Sequence, residues 1–95
     1  DPRLGIYAAV TTRARPGAPP LRPDQQLSRE RALRGFTGDA AFAMFAEKEL
    51  GAIAAGMRAD LTVFDRDLRT CPEDELLTAR VLFTIVDGKI AFAAD

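Results

Sequence analysis

The chain has 95 residues, 47% hydrophobic and 28% charged, a composition typical of one small globular domain or a piece of a larger one. Thirteen basic and fourteen acidic side chains leave a net charge of −1, which argues against a strongly basic nucleic-acid binder. The sequence has no histidine, so these residues cannot form a Ser-His-Asp triad, a Cys-His pair or a His-ligated metal site. It has one cysteine, so they cannot form an internal disulfide.

The first quarter of the chain predicts a short helix followed by a long loop. Leu4, Tyr7 and Ala8 follow the i, i+3, i+4 spacing of a helix face, so we predict a helix over residues 3–13. Several prolines between residues 14 and 26 remove backbone donors and make most of that stretch a loop.

Two further helices are predicted after the loop. Ser28 is a favourable N-cap for a helix ending near Gly35. Thr37 is a candidate N-cap for a second helix over roughly residues 38–48. That helix is apolar around much of its circumference, which indicates cover on more than one side. We therefore expect three of its large side chains to lie in a core: Phe42, Met44 and Phe45.

The second half of the chain predicts strands. Gly51 and Gly56 frame a brief extended piece at residues 52–53. Residues 61–64 are rich in β-formers and predict a strand. Residues 72–75 open a short helix, because the proline comes early and the acids fall in the first turn.

A β-hairpin is the clearest local pattern. Two apolar runs, residues 81–86 and 89–92, flank Asp87-Gly88, the dipeptide that favours a type I′ turn. Three strands and a brief fourth cannot close a sheet. Their nearly continuous apolar character indicates cover on both faces, and so partner strands or a packed surface from elsewhere.

Three acids around the strand at residues 61–64 form a candidate cation site. Asp65 and Asp67 fall on one face of an extended segment, and Asp60 precedes the strand. Solvent-facing turn acids balanced by Arg66 and Arg69 are the stronger interpretation.

The remaining chemistry-bearing residues also favour structural roles. Cys71 has no histidine or second cysteine to complete a nucleophilic or redox site, and a lone thiol agrees with a reducing, cytoplasmic location. No apolar run reaches the ~18 residues of a membrane span, so we expect no membrane contact. The chain has one cluster of basic residues, which could contact a phosphate or a nucleic acid. A solvent-facing surface with local ion pairs is the favoured interpretation. The cluster comprises Arg13, Arg15, Arg22, Arg29, Arg31 and Arg34.

Several segments resemble the metal-dependent amidohydrolases, in order and spacing. Residues 27–37 (LSRERALRGFT) resemble the family's LS-x-x-x-ALRG-(F/Y)-T segment, with Asp39-Ala40-Ala41 continuing it. Residues 51–65 are similar to its G-x-I-x-x-G-x-x-ADL-x-V-x-D pattern, and residues 81–89 to its closing V-x-x-T-(I/V)-V-x-GK hairpin. Residues 1–11 resemble the segment after the last barrel strand in amidohydrolase family 3.

This resemblance implies an α+β piece of a larger fold. It assigns residues 1–48 to the last helices of a (β/α)₈ barrel and residues 49–95 to the C-terminal strands of a small composite β-sandwich. The family hydrolyses carbon–nitrogen bonds with one or two divalent metals held mainly by histidines, and its metal Asp lies upstream of Asp1. The resemblance therefore implies no catalytic, cofactor-binding or metal residue here, and a divalent metal, zinc by preference, in the complete protein. The resemblance places five residues at turns or strand starts: Gly51, Gly56, Asp60, Asp87 and Gly88. We expect the Asp60 carboxylate to accept hydrogen bonds from neighbouring backbone amides.

We thus expect the C-terminal, non-catalytic part of a metal-dependent hydrolase, lacking an initiator methionine because it is a processed or excised product. Its proline-rich loop would border the substrate mouth. Its partners would be the rest of the hydrolase or a second copy of itself, giving a homo-oligomer. The alternative is a stand-alone, self-associating interaction module without catalysis, and nucleic-acid binding has the least support.

Overall fold

A computed structural model describes residues 1–95 and shows an α+β arrangement, as expected. Four helices and three strands follow one another along the chain. In order they are α1 (Pro2–Thr11), a 3₁₀ turn (Pro23–Gln25), α2 (Arg29–Gly35), α3 (Gly38–Ala43), β1 (Leu61–Phe64), α4 (Glu75–Thr78), β2 (Val81–Val86) and β3 (Lys89–Ala93).

Helix α1 begins and ends with local backbone bonds. The Asp1 carboxylate accepts a hydrogen bond from the Arg3 amide at 3.0 Å and caps the N-terminus. Thr12 ends the helix in the left-handed region, at φ 52°. The loop that follows is held to α1 at its far end, where the Leu27 amide donates to the Ala9 carbonyl at 2.9 Å. The predicted helix and loop are therefore confirmed.

Helix α2 is also as predicted, whereas α3 is shorter than expected. The Ser28 hydroxyl accepts a hydrogen bond from the Arg31 amide at 3.2 Å. Thr37 does not cap α3, because its hydroxyl donates instead to the Leu33 carbonyl at 3.0 Å. Helix α3 ends at Ala43 and not near residue 48, since Phe45 adopts a left-handed backbone, at φ 60°, that no helix can continue through.

The expected burial on α3 is wrong. Phe42, Met44 and Phe45 are 69%, 63% and 93% exposed, respectively. Their apolar character indicated cover, but no other part of these 95 residues packs over them. Helical periodicity identifies a face that favours burial and does not identify the polypeptide that buries it.

The three strands form one antiparallel sheet in the order β1-β2-β3. Asp87 and Gly88, at φ 50° and 78°, make the predicted type I′ hairpin turn between β2 and β3. The Asp60 carboxylate accepts a hydrogen bond from the Asp87 amide at 2.7 Å, so its expected role as a holder of backbone donors is confirmed. The brief fourth strand expected at residues 52–53 is not formed.

The core is small and sits between the helices and the segment that joins β1 to β2. Helix α1 packs against α2 and α4, while the sheet contacts mainly itself. The division of the chain into residues 1–48 and 49–95 stays a prediction. The core contains residues from both parts. Its seven buried members are Ile6, Tyr7, Ala32, Leu68, Cys71, Leu76 and Ala79.

The chain is less compact than a globular monomer of the same mass. Its solvent-accessible surface is 6836 Å², whereas a compact monomer of 10.3 kDa exposes about 5,400 Å². Its radius of gyration is 14.5 Å, against about 12 Å for a compact chain of this length. Roughly 1,400 Å² of additional surface is therefore exposed.

Candidate functional site

An apolar groove lies between the helices and the sheet. It has a volume of about 700 Å³ and is open along one side. One wall comes from the helices. Ile6 lies in α1, whereas Phe36 and Met44 directly follow α2 and α3, respectively. The opposite wall comes from β1 and β2, with Phe64 and Val81 among its residues. Most of the lining is apolar, so the groove favours an apolar occupant.

Close backbone packing shapes one side of the groove. Gly51 has φ 94°, and a Cβ placed there would lie 2.9 Å from both the Gly38 Cα and the Thr37 carbonyl oxygen. Only glycine suits this position, because it combines a left-handed backbone with no room for a side chain. Gly51 thus lets the segment after α3 return against the start of that helix.

The charged groups at the groove differ in how they are paired. The Arg3 guanidinium binds both oxygens of the Asp1 carboxylate, with a closest distance of 2.7 Å, and also donates to the Ala79 carbonyl oxygen. Arg58 lies at the groove, and its guanidinium forms neither a hydrogen bond nor an ion pair within the chain. The groove therefore offers an unpaired guanidinium beside a mainly apolar lining.

The sheet exposes a second apolar surface. Val63 of β1 and Phe83 of β2 lie opposite each other and are both partly exposed. Ile90 of β3 lies opposite Ile85 of β2 and is 64% exposed. These cross-strand neighbours carry no charge, so this side of the sheet is suited to packing and not to contact with water.

The three acids of the candidate cation site serve separate structural bonds. Asp65 pairs with Arg66 at 2.9 Å and accepts the Arg80 amide at 3.0 Å, and these contacts lower the pKa of Asp65 to about 2. Asp67 accepts the Arg69 amide at 2.8 Å, which lowers its pKa as well. No group of three His, Cys, Asp or Glu side chains is placed to hold a metal ion. The residues present therefore do not fit a metal centre.

Three of the six basic residues, Arg13, Arg22 and Arg34, make the expected local bonds, whereas Arg15 and Arg31 make no side-chain bond and Arg29 makes a distant one. Arg22 pairs with Asp24 at 2.8 Å, and Arg34 pairs with Asp39 at 3.2 Å. Arg29 instead crosses to the segment before α4, where its guanidinium donates to the carbonyl oxygen of Leu68 at 2.6 Å and to that of Cys71 at 2.8 Å. Sequence reasoning missed this clamp, since its acceptors are backbone groups about 40 positions away.

Cys71 is buried beneath that clamp. It belongs to the core, and its Sγ lies 3.7 Å from the Arg29 guanidinium. Tyr7, also in the core, has a hydroxyl that is fully buried and has no hydrogen-bond partner. Neither Tyr7 nor Cys71 lines the groove, so these polar atoms add no chemistry to it.

No helix of the structure has the length and apolar content required to cross a lipid bilayer.

Comparisons with known proteins identify a family and two similar proteins. A family model described as "Amidohydrolase family" matches residues 1–92. The chain is 40% identical over 87 residues to N-substituted formamide deformylase of Arthrobacter pascens, covering 92% of this chain and 16% of that protein. It is 31% identical over 101 residues to imidazolonepropionase of Photobacterium profundum, covering 96% of this chain and 25% of that protein. No solved structure matches significantly. The chain thus spans between a sixth and a quarter of these curated relatives' length, and it belongs to the amidohydrolase family.

Proposed function

We propose that this chain is the C-terminal structural part of a longer, metal-dependent hydrolase, called the parent below, that cleaves non-peptide carbon–nitrogen bonds. Family membership supports the hydrolase class. The observation that carries the structural role is the excess of exposed surface: the chain exposes roughly 1,400 Å² more than a compact monomer, and large apolar side chains such as Phe42 and Phe45 are among those exposed, so the chain is shaped to lie against other polypeptide. That excess exceeds the ~800 Å² that each partner contributes to a standard protein interface.

In this proposal the groove and the bare side of the sheet pack against the rest of the parent. Residues 1–48 supply the last helices of its barrel, and residues 49–95 complete its small sandwich. Phe42, Met44 and Phe45 become buried there, which restores the cover that their sequence pattern indicates. The chain alone is inactive, since its own residues do not assemble a metal site.

The metal of the proposed hydrolase, zinc by preference, is held by residues outside this chain. A divalent ion of that kind supplies a nucleophile by lowering the pKa of a bound water. This chain contributes the fixed position of the elements around that site and no ligand. The proline-rich loop at residues 14–26 is exposed, with its ends held to α1, so it is free to border a substrate entrance.

The direct test is hydrolysis by the parent. The parent is expressed from the reading frame that contains this segment and is assayed for formate release from N-substituted formamides, the substrates named for one relative. We expect metal-dependent turnover that a chelator abolishes and Zn²⁺ restores. A folded, metal-loaded parent that hydrolyses neither formamides nor other carbon–nitrogen substrates would contradict the proposal.

The isolated chain is the matched control in the same assays. We expect no turnover by the 95 residues with or without Zn²⁺, because no donor set converges on a common point. Turnover by the chain alone would overturn the structural role, whatever the parent does.

The same apolar surface also favours a second candidate, a self-associating module without catalysis. Phe45 and Ile53 are about nine-tenths exposed beside the groove, and a second copy would cover them. Light scattering on the isolated chain tests association. The reading frame that encodes this segment distinguishes the two candidates. An upstream barrel sequence with a His-x-His pair supports the hydrolase, whereas a frame without one supports the module.

A further inference from the structure

Arg3, near the start of α1, ties that helix to the segment that leads into β2. Its Nε and Nη2 atoms donate to the Asp1 carboxylate, with an Nη2–Oδ2 distance of 2.7 Å, while its Nη1 atom donates to the Ala79 carbonyl oxygen. No other donor in the chain binds that carbonyl. Because the carboxylate holds a planar guanidinium by two of its nitrogens, the third nitrogen has a fixed direction toward Ala79.

The carbonyl that Arg3 binds is itself firmly placed in the second half of the chain. Ala79 is fully buried, and its amide donates to the Glu75 carbonyl at 2.9 Å. The amide of the next residue, Arg80, donates to the Asp65 carboxylate at 3.0 Å, and the Arg80 carbonyl accepts from the Asp65 amide at 3.0 Å. Arg3 therefore fixes the start of α1 relative to the place where β1 ends and β2 begins.

The position of α1 in a barrel relates this contact to catalysis. In the proposed function, α1 belongs to the ring of barrel helices. Each helix of a (β/α)₈ barrel follows the carboxyl end of a strand, and active sites are built at that face. The start of α1, with Asp1 and Arg3, therefore lies at the catalytic face of the parent, whereas Ala79 belongs to the part assigned to the small sandwich.

We propose that Arg3 is a positioning residue of the parent. Together with Asp1 it holds the start of α1, and with it the adjoining loop of the catalytic face, in a fixed place relative to the sandwich. This rests on the proposed function, because it takes the barrel and its active site from the parent. A displacement of about 1 Å at a reacting centre can lower a rate about 100-fold, so loss of the contact slows the chemical step more than it weakens substrate binding.

Steady-state kinetics of the parent test this role. The substrate is an N-substituted formamide or, failing that, the carbon–nitrogen substrate that the parent is found to hydrolyse. We expect Arg3→Met to lower kcat at least about tenfold while KM changes less than about threefold. Arg29→Met is the matched control, because Arg29 also donates to carbonyls of the segment between β1 and β2 but does not line the groove, as Asp1 and Arg3 do. It is expected to keep kcat within about twofold, and equal losses of kcat, or a change in KM alone, overturn the proposal.

Two further variants distinguish positioning from a general loss of folding. Asp1→Asn keeps a side-chain oxygen that can cap α1 but removes the ion pair, so we expect kcat to fall severalfold. Combined with Arg3→Met it should lower kcat no further than Arg3→Met alone, because the two residues act as one unit. Arg3→Lys keeps a donor for the Ala79 carbonyl and should recover part of the lost kcat. Additive losses, or a lysine variant as slow as the methionine variant, contradict the role of Arg3.

Amide hydrogen exchange in the parent gives a readout that does not depend on turnover. Exchange is followed by mass spectrometry in peptides that cover residues 1–8. We expect Arg3→Met to speed exchange there severalfold, because the first turn of α1 loses its contact with Ala79, and Arg29→Met to leave it nearly unchanged. Equal exchange in the two variants would refute the contact.

The outcomes separate this role from the proposed function. A parent that hydrolyses its substrate but shows none of these effects refutes the role of Arg3 and leaves the proposed function standing. A folded, metal-loaded parent without turnover contradicts the proposed function, and the role of Arg3 in catalysis falls with it.

Discussion

Two regions of this molecule combine apolar content and burial in opposite ways, because the region richer in apolar residues is the one that leaves them exposed. The packed end, comprising α1, α2 and residues 65–79, buries seven side chains in a shared core. The bare end, comprising α3, residues 44–53 and the sheet, leaves Phe45 and Ile53 about nine-tenths exposed. The difference teaches that apolar sequence specifies a need for cover. Whether that need is met within the chain depends on which segments return to the same place.

The largest effect is expected from emptying the packed end. Leu76→Ala removes a side chain that is 1% exposed and leaves a cavity, which should lower the free energy of unfolding by about 2–5 kcal/mol. Urea unfolding followed by circular dichroism measures the loss. The matched change at the bare end, Phe45→Ala, should cost under about 0.5 kcal/mol in the isolated chain. Equal losses would erase the distinction between the two ends.

A backbone test at the bare end comes next. Gly51→Ala should destabilise the chain by about 2–4 kcal/mol, because the new Cβ meets Gly38 and Thr37 at 2.9 Å on a left-handed backbone. Gly56→Ala is the control, since φ is similar, 87°, but no atom lies within 4 Å of the added Cβ. We expect it to cost about 1–2 kcal/mol, measured by the same unfolding experiment. A Gly51 variant no less stable than the Gly56 variant would show that residues 37–51 do not pack as described.

The Arg29 clamp holds the packed end together from outside its core. Arg29→Met keeps much of the aliphatic stem and removes both bonds to the carbonyls of Leu68 and Cys71, for an expected loss of about 1–3 kcal/mol. Arg31→Met, on an exposed position, should change stability by under about 0.5 kcal/mol. Faster reaction of Cys71 with a thiol reagent in the Arg29 variant would provide a second readout. Identical behaviour of the two variants would argue against the clamp.

A smaller, pH-dependent effect is expected at Asp65. Its pKa is lowered from 3.8 to about 2 by Arg66 and the Arg80 amide. A carboxyl with a lower pKa in the folded chain contributes stability that is complete above the ordinary value and is lost as the pH falls toward 2. Unfolding measured across that interval should therefore depend on pH more steeply in the wild type than in Asp65→Asn. Parallel curves would contradict the assignment.

The smallest effect is expected from the one orphaned hydroxyl in the core. Tyr7→Phe removes a buried group with no hydrogen-bond partner and should leave stability unchanged or raise it by up to about 1 kcal/mol. Tyr7→Ala, which empties the same site, should instead cost about 3–5 kcal/mol. Thermal unfolding distinguishes them. A marked loss on Tyr7→Phe would mean that the hydroxyl has a partner, such as a buried water.

Local elements were predictable wherever the determining contacts are close in sequence. The Ser28 cap and the Asp87-Gly88 turn depend on backbone geometry within a few residues, so the helix α2 and the β2–β3 hairpin formed as expected. The length of α3 was mispredicted, because Phe45 leaves the helical region although its residue type carries no such signal. The sequence does not predict the groove, since its walls come from segments as far apart as Asp1 and Thr84.

The sequence by itself determined the family, the order of helices and strands, and the absence of histidine chemistry from these residues, because each follows from residue identity and short spacing. Only the tertiary structure decided which apolar residues are covered and that Arg29 clamps two distant carbonyls. Both depend on contacts between remote segments, which residue spacing does not encode locally. Phe42 and Leu76 are both large and apolar, yet only the path of the chain exposes the first and buries the second.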